Sequence, residues 1–224
     1  MAAVTGELLP LALGVVLSPV AIMVVIVMLN GPRGRANGIA YVAGWLGALL
    51  VVGGAALLLA GAAEAVTDAE PRTLAGLARL LIGTLLLALA ARQWRARPAP
   101  DEAAELPAWM SSLDNFRPAR ALGVGALFAG LKPKNLILTA AAAVAIAEGH
   151  VGVGQSVVLL LVYAVLATAG VAAPLVAGLV LGDRAVGVLG GWQTWLGRNN
   201  ATIMTLLFAL FGVILLGNGL GSLA

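Results

Sequence analysis

Runs of apolar residues about twenty long recur along this chain, and they limit it to a fold whose helices cross a lipid bilayer. Of its 224 residues, 61% are hydrophobic and 10% are charged, whereas a soluble domain carries about a quarter charged residues. A helix needs about 20 apolar residues to cross the hydrocarbon core. The pattern predicts an all-α integral membrane protein with six spans, over residues 8–29, 38–62, 74–91, 121–147, 153–182 and 201–221.

A long charged segment divides the chain into two halves of three predicted spans each. We therefore predict a first three-helix repeat over 1–91, a cytoplasmic linker over 92–120 and a second three-helix repeat over 121–224. Within the linker, Leu106 and Leu113 belong to a set of apolar residues at helical spacing. This set fits a short helix lying in the membrane interface, and an ordinary linker explains the segment equally well.

The charges of the loops predict the orientation of the spans. Nine arginines fall in the loops 30–37, 92–120 and 183–200, which the six-span arrangement places on one side. Cytoplasmic loops carry an excess of lysine and arginine. The chain is therefore predicted to be a multi-pass protein of the inner (plasma) membrane, with these loops in the cytoplasm and both termini outside.

Two prolines in the middle of predicted spans suggest that the halves are related. Setting Pro19 against Pro133 shifts the chain by 114 residues, close to half its length, and the surrounding apolar residues then match at several positions. Three spans per half require the second half to run in the inverted direction. Inverted repeats with interrupted helices in corresponding positions are typical of transporter sites. We predict a 3+3 inverted repeat with helices 1 and 4 interrupted.

Pro133 lies in the segment LKPKN, which places both lysines of the chain inside a long apolar run. About eleven apolar residues precede Lys132 and about twelve follow Asn135, so each flank spans roughly 16–18 Å, or half a bilayer. Proline cannot donate a backbone hydrogen bond and breaks the helix. The segment is thus predicted to lie near the midplane, where free backbone groups require a protein partner or a wet cavity.

A lysine charge at that depth costs at least about 2.5–3.5 kcal/mol on insertion scales. All ten acidic residues lie at span ends or in loops, so we expect an anionic ligand to supply the opposite charge. Two alternatives are a neutral lysine that couples transport to protons and lysines that only snorkel to an interface. The predicted substrate-binding residues come from both breaks: Lys132, Lys134, Asn135, Pro133, Ser18 and Pro19.

Several function classes are disfavoured by composition. The chain has no cysteine and one histidine, so we expect no thiol chemistry, no metal site and no cofactor. The arginines are spread over short loops rather than gathered in a patch, which argues against a nucleic-acid partner. A nucleophile–base pair is not evident, and an enzyme is not expected. Gly178 and Gly182 form a GxxxG pair, which fits helix packing and leaves a homodimer as an open alternative.

Three stretches together resemble one family. They read LSPVAIMVVIVML, then GPRGRANGIAYVAGW, then LDNFRPARALGVGALFAGLKPKNLILTAAAAVAIAEG. The chain resembles the actinobacterial GAP family of peptidoglycolipid- or sulfolipid-addressing proteins, a branch of the LysE-type exporter superfamily. Its most specific piece is Pro133, Lys134 and Asn135; the family often has asparagine where this chain has Lys132. The resemblance implies a six-span inner-membrane protein linked to delivery of glycolipid or lipopeptide to the cell envelope.

The residues and the resemblance together predict an inner-membrane exporter of an amphiphilic or anionic small solute. Its expected partners are a membrane lipid or a small-molecule substrate, and a lipid secretion machinery. Two rival functions stay open, a LysE-like amino-acid exporter and a non-transporting accessory subunit of a lipid secretion complex. A substrate path through the protein would favour an exporter, and a dry, tightly packed centre with a large exposed apolar face would favour the accessory role.

Overall fold

The computed structural model describes residues 2–66, 71–95, 97 and 116–223, and this part of the chain is helical without strands. The all-α prediction is confirmed. The α-helices in this part of the chain are α1 (Ala2–Val16), α2 (Pro19–Leu29), α3 (Gly34–Val66), α4 (Pro71–Arg95), α5 (Pro118–Gly130), α6 (Pro133–Glu148), α7 (Val153–Leu181) and α8 (Ala185–Leu223). A short 3₁₀ turn, Gly182–Arg184, separates α7 from α8.

Among the described residues, three helices are long and apolar enough to cross a membrane by themselves: Gly34–Ala60, Val153–Leu181 and Ala185–Gly221. The count rises to five if α1 with α2, and α5 with α6, each form one bent span. The predicted span 74–91 falls in α4, which is not among these candidates. A multi-pass membrane protein is thus supported, while the six-span repeat stays a prediction.

Both predicted interruptions are present, and proline begins the helix after each of them. Pro19 is the first residue of α2 and Pro133 is the first residue of α6. Proline is favoured at this position because its fixed φ suits a helix and its missing N–H would be unpaired there in any case. The axes bend by 55° at the first break and by 67° at the second.

One compact unit comprises residues 1–63 and 106–196. In it α1 and α6 run antiparallel, because Gly149, just beyond α6, faces Val4 at the start of α1, while Lys134 reaches Gly14 near its end. Each broken helix also packs against the long helix of the other half of the sequence. Gly170 of α7 contacts the backbone of Val16 in α1, and a matching contact joins α5 to α3.

The contact between α3 and α5 is close enough to need glycine on both sides. A Cβ at Gly44 would collide with the carbonyl of Leu122, and a Cβ at Gly125 would collide with that of Tyr41. Nearer the helix starts, Asn37 donates a 2.9 Å hydrogen bond from Nδ2 to the carbonyl of Phe116. Small residues allow backbones to approach this closely in membrane helices. The order of these contacts along the chain shows that α3 and α5 start together and run parallel.

The second compact unit comprises residues 64–105 and 197–224. Its helices are α4 and the later part of α8, and they are joined by glycines that repeat every seventh residue. A Cβ at Gly83 would lie 2.9 Å from the carbonyl oxygen of Gly212, and one at Gly219 would lie 3.0 Å from that of Gly76. The two helices are therefore antiparallel and pack backbone to backbone.

The loop predicted over 183–200 is wrong, because Ala185 begins a continuous helix there. Ala185 and Leu189 are buried and form a core cluster with Ile26, with Leu196 packed against it. These residues recur at helical spacing on one face. The apolar runs predicted as spans 153–182 and 201–221 left this segment between them, which is why it was predicted as a loop.

The predicted linker is described only at its two ends. Arg92 and Arg95 lie in the last turn of α4, and Pro118–Arg120 lie in the first turn of α5. Residues 98–115 lie outside the described part of the chain. The apolar set on which the interfacial helix was predicted, from Leu106 to Leu113, lies among them.

Candidate functional site

Lys134, in the first turn of α6, reaches across to the break between α1 and α2. Its Nζ donates hydrogen bonds of 2.7 Å to the carbonyl of Gly14, 2.8 Å to that of Leu17 and 3.0 Å to the hydroxyl of Ser18. Ser18 is buried, with 3% of its surface exposed. The structure thus brings together Lys134 and Ser18, the charged and the hydroxyl residue predicted from opposite halves.

The geometry of the first break explains why α1 offers these acceptors. In a continuous helix the amide of Ser18 would bond to the carbonyl of Gly14. That amide instead donates to Val16, at 2.9 Å. The carbonyls at the end of a helix also carry a partial negative charge, which favours a cation beside them. The ammonium of Lys134 therefore replaces a backbone donor that the break removes.

A lysine ammonium has three N–H donors and no acceptor, and all three of the donors of Lys134 are engaged. None of its three partners carries a negative charge, because two are carbonyl oxygens and one is a hydroxyl. In this arrangement a ligand can bind the ammonium through a hydrogen bond only by displacing one of them. The contact is a closed one between α6 and the first break.

Asn135 serves the second break in the same way that Lys134 serves the first. Its Nδ2 donates a 2.9 Å hydrogen bond to the carbonyl of Phe128, near the end of α5. Under the shift of 114 residues that aligns Pro19 with Pro133, Phe128 corresponds to Gly14. Asn135 is completely buried, and its Oδ1 has no hydrogen-bond partner in the described part of the chain.

The side chain of Lys132 contacts a residue from its own half of the chain. It is the residue preceding α6, it is half-buried, and its Nζ lies 4.2 Å from the centroid of the Phe128 ring. A cation over an aromatic face is attracted by the ring electrons. The two lysines thus have different surroundings. Pro133 between them is exposed, whereas Pro19 is buried beside Ser18.

Sequence reasoning missed the acceptors and the aromatic group of this site. Gly14, Leu17 and Phe128 contribute backbone carbonyls or a ring, and residue type does not mark such roles. One turn beyond Asn135, Thr139 Oγ1 lies 3.2 Å from the hydroxyl of Tyr163, and both residues are buried. The shared helical face of Asn135 and Thr139, four residues apart, was the one signal that could have indicated this extension.

A metal-binding cluster is not found among the described residues, in that no group of three or more His, Cys, Asp or Glu side chains could hold an ion. The site therefore offers one ammonium in contact with the first break, a second ammonium over a ring, and buried amide and hydroxyl groups. These groups can bind an anion or polar headgroup. A cavity lined by Asn30 and Arg35 lies elsewhere, at the ends of α2 and α7.

Comparison with known proteins identifies a family. No curated protein and no solved structure matches the chain. The sequence model for Sap, sulfolipid-1-addressing protein, matches residues 8–221, which is nearly the whole chain. The resemblance to the lipid-addressing proteins is thereby confirmed, and the chain belongs to the sulfolipid-1-addressing protein family.

Proposed function

We propose that the chain exports an anionic amphiphile from the inner membrane toward the cell envelope, through the junction of its two broken helices. The observation that carries the proposal is the ammonium of Lys134, held at the end of α1 by a helix from the other half. Family membership supports a sulfated or otherwise anionic lipid as the substrate class. Broken helices that meet in the membrane are a recurrent architecture for transport sites.

The three hydrogen bonds of Lys134 define what substrate binding has to achieve. A sulfate or phosphate oxygen carries a negative charge, so it binds an ammonium more strongly than a neutral carbonyl oxygen does. An anionic headgroup can therefore displace Gly14, Leu17 or Ser18 from Nζ. Once they are displaced, α6 loses its polar contact with the first break, and the two are free to separate. Headgroup binding and opening of the junction are thus coupled.

The direct test is transport by the purified chain in proteoliposomes. A fluorescent sulfated glycolipid is placed in one leaflet, and its arrival in the other leaflet is followed by quenching. We expect flux with the wild type and its loss with Lys134→Met, which keeps a long apolar stem but no donor. Lys132→Asn is the matched control, and we expect it to retain most of the flux. Flux by Lys134→Met at the wild-type rate would overturn the proposed site.

Radiolabelled lysine in the same vesicles tests the amino-acid exporter. Uptake of lysine without movement of the sulfated lipid would replace the proposed substrate class with a LysE-like one.

The proposed orientation places the arginine-bearing loop between α2 and α3 in the cytoplasm. Pro32 in that loop and Gly152 between α6 and α7 are both exposed and lie at opposite ends of their unit. In intact cells, an impermeant thiol reagent should label Gly152→Cys and should label Pro32→Cys only after lysis. The reverse pattern would invert the proposed topology.

A non-transporting accessory subunit is the second candidate, favoured by the closed state of the junction. All donors of Lys134 are engaged within the protein, and Ser18 and Asn135 are buried. Under this alternative Lys134 only holds the helices together. A deletion strain would then lose lipid from its surface, while the purified chain would show no flux in vesicles.

A further inference from the structure

A cavity of about 340 Å³ lies where α2 ends, α3 begins, α7 ends and α8 begins. Its polar lining comes from Asn30 and Arg35, and its apolar lining includes Leu179, Val186 and Leu189. The volume lies at the lower end of the range of small-molecule sites, about 300–1,000 Å³. It is suited to a headgroup and the first part of a chain rather than to a whole lipid.

The charge of the lining favours an anion. Arg35 lies in the first turn of α3, is exposed, and lines the cavity. Among the described residues that line the cavity, none is acidic. Two helix starts and two helix ends meet here, and their partial charges of about half a unit each roughly cancel. Among the described lining residues, Arg35 therefore supplies the full charge that an anion would meet.

The apolar lining distinguishes an amphiphile from a free anion. Leu179 and Val186 are 45% and 64% exposed, so apolar surface is open on α7 and on α8 beside the cavity. An inorganic ion would gain nothing from these side chains, whereas an acyl or alkyl chain bound beside Arg35 can pack against them.

We propose that this cavity binds the headgroup of an anionic lipid, a phosphate diester or a sulfate ester. Arg35 binds the headgroup oxygens, and the chain leaves along Leu179 and Val186. The site is separate from Lys134, and its occupation does not depend on whether the chain exports its ligand.

The test is lipid binding by the purified full chain in detergent, measured by native mass spectrometry. Phosphatidylglycerol, a sulfated glycolipid and phosphatidylcholine with matched acyl chains are titrated separately. We expect both anionic lipids to bind at least about tenfold more tightly than phosphatidylcholine. Arg35→Ala should weaken anionic binding about tenfold, as expected for one charged contact. Preference for one anionic lipid identifies the headgroup, and equal binding of all three overturns the site.

Matched variants separate the cavity from general surface charge. Arg33→Ala removes an exposed arginine that does not line the cavity, and it should leave the preference unchanged. Gly178 lines the cavity and has room for a Cβ, whose nearest contact would be 3.6 Å away at Leu29. Gly178→Leu should therefore fill the space and abolish tight binding, while Gly178→Ala should preserve it.

Two results would contradict the assignment. An Arg33→Ala variant as impaired as Arg35→Ala would show that binding follows surface charge alone. Full competition by inorganic sulfate at an equal concentration would show that the apolar lining contributes nothing. Thermal unfolding of each variant confirms that a loss of binding is not a loss of fold.

Discussion

The two broken helices have similar backbones and different chemistry. Each break precedes a helix that begins with proline, and each frees a carbonyl at the corresponding position, Gly14 in one half and Phe128 in the other. The first break receives its donor from the other half of the sequence, through Lys134. The second receives its donor from its own half, through Asn135. Both side-chain donors therefore come from α6, and the first break contributes carbonyl acceptors and the Ser18 hydroxyl.

This difference shows that corresponding positions in the two halves do not perform equivalent tasks. Position 20, which corresponds to Lys134 under the same shift, is valine and cannot donate a hydrogen bond from its side chain. The contact at the first break is accordingly polarised, with its donor from the second half and its acceptors from the first. Under the proposed function, an anion that enters the junction would meet the cation of one half and compete with the acceptors of the other.

Removing the ammonium of Lys134 should cause the largest loss of stability, because it removes the contact that distinguishes the first break from the second. Lys134→Met leaves two carbonyls and one hydroxyl without their donor, so we expect a loss of about 2–4 kcal/mol in the free energy of unfolding. Lys134→Arg keeps the charge, but its planar guanidinium does not match three acceptors placed around an ammonium, and it should recover less than half of the loss. Unfolding in detergent measures both. A Lys134→Met protein as stable as Lys132→Met would contradict the bridging role.

Forcing the long helices away from the breaks should have the next largest effect. Gly125→Ala places a methyl group against the backbone of Tyr41, and Gly170→Ala places one against Val16. Each should cost about 1–3 kcal/mol because backbone cannot move aside cheaply. Gly123→Ala, on the same helix as Gly125 but with nothing within 4 Å of its Cβ, should be neutral or stabilising by up to about 1 kcal/mol. Equal melting temperatures for Gly123→Ala and Gly125→Ala would show that the α3–α5 contact is not close.

Asn135→Ala tests the second break by itself. It removes one donor from the carbonyl of Phe128 and also removes the unpartnered Oδ1, so the two changes partly offset one another. We expect a destabilisation of about 1 kcal/mol, smaller than that of Lys134→Met. A larger loss than at Lys134 would reverse the order of importance assigned to the two breaks.

Ser18→Ala should have the smallest effect, about 0.5–1 kcal/mol, since it removes the longest of the three contacts of Lys134. The informative measurement is a double-mutant cycle with Lys134→Met. Because the hydroxyl contributes through that ammonium, Ser18→Ala should cost almost nothing once the donor is absent. Additive losses would place the contribution of Ser18 elsewhere.

The sequence predicted the parts of the fold that depend on residue type. Long apolar runs determined the helical membrane class, and Pro19 and Pro133 located both breaks. The segment 183–200 was predicted as a loop because it lies between two long apolar runs, and the buried positions of Ala185 and Leu189 within it were missed. Helix partners were not predicted, since a glycine in contact with another backbone, such as Gly125, looks in sequence like the uncrowded Gly123.

The site was predicted in its side chains and missed in its backbone. The lysines were identified because a charge inside an apolar run has a high free-energy cost in the bilayer. Ser18 was identified because it lies beside Pro19. The amino-acid sequence could not show that Lys134 would bind the carbonyls of Gly14 and Leu17, because every residue has a backbone carbonyl. Only the break in α1, together with the antiparallel approach of α6, makes those two available.

The contact of Lys134 with the first break also has a consequence for biogenesis. The residues that it joins lie 116 to 120 positions apart in the sequence. At about 5–20 residues per second of synthesis, α1 and α2 enter the membrane roughly 6–24 s before their lysine leaves the ribosome. During that interval the carbonyls at the break depend on water, lipid headgroups or the insertion machinery. The amino-terminal half therefore needs a temporary hydrogen-bond donor during synthesis. Its first break is completed only when α6 has been inserted.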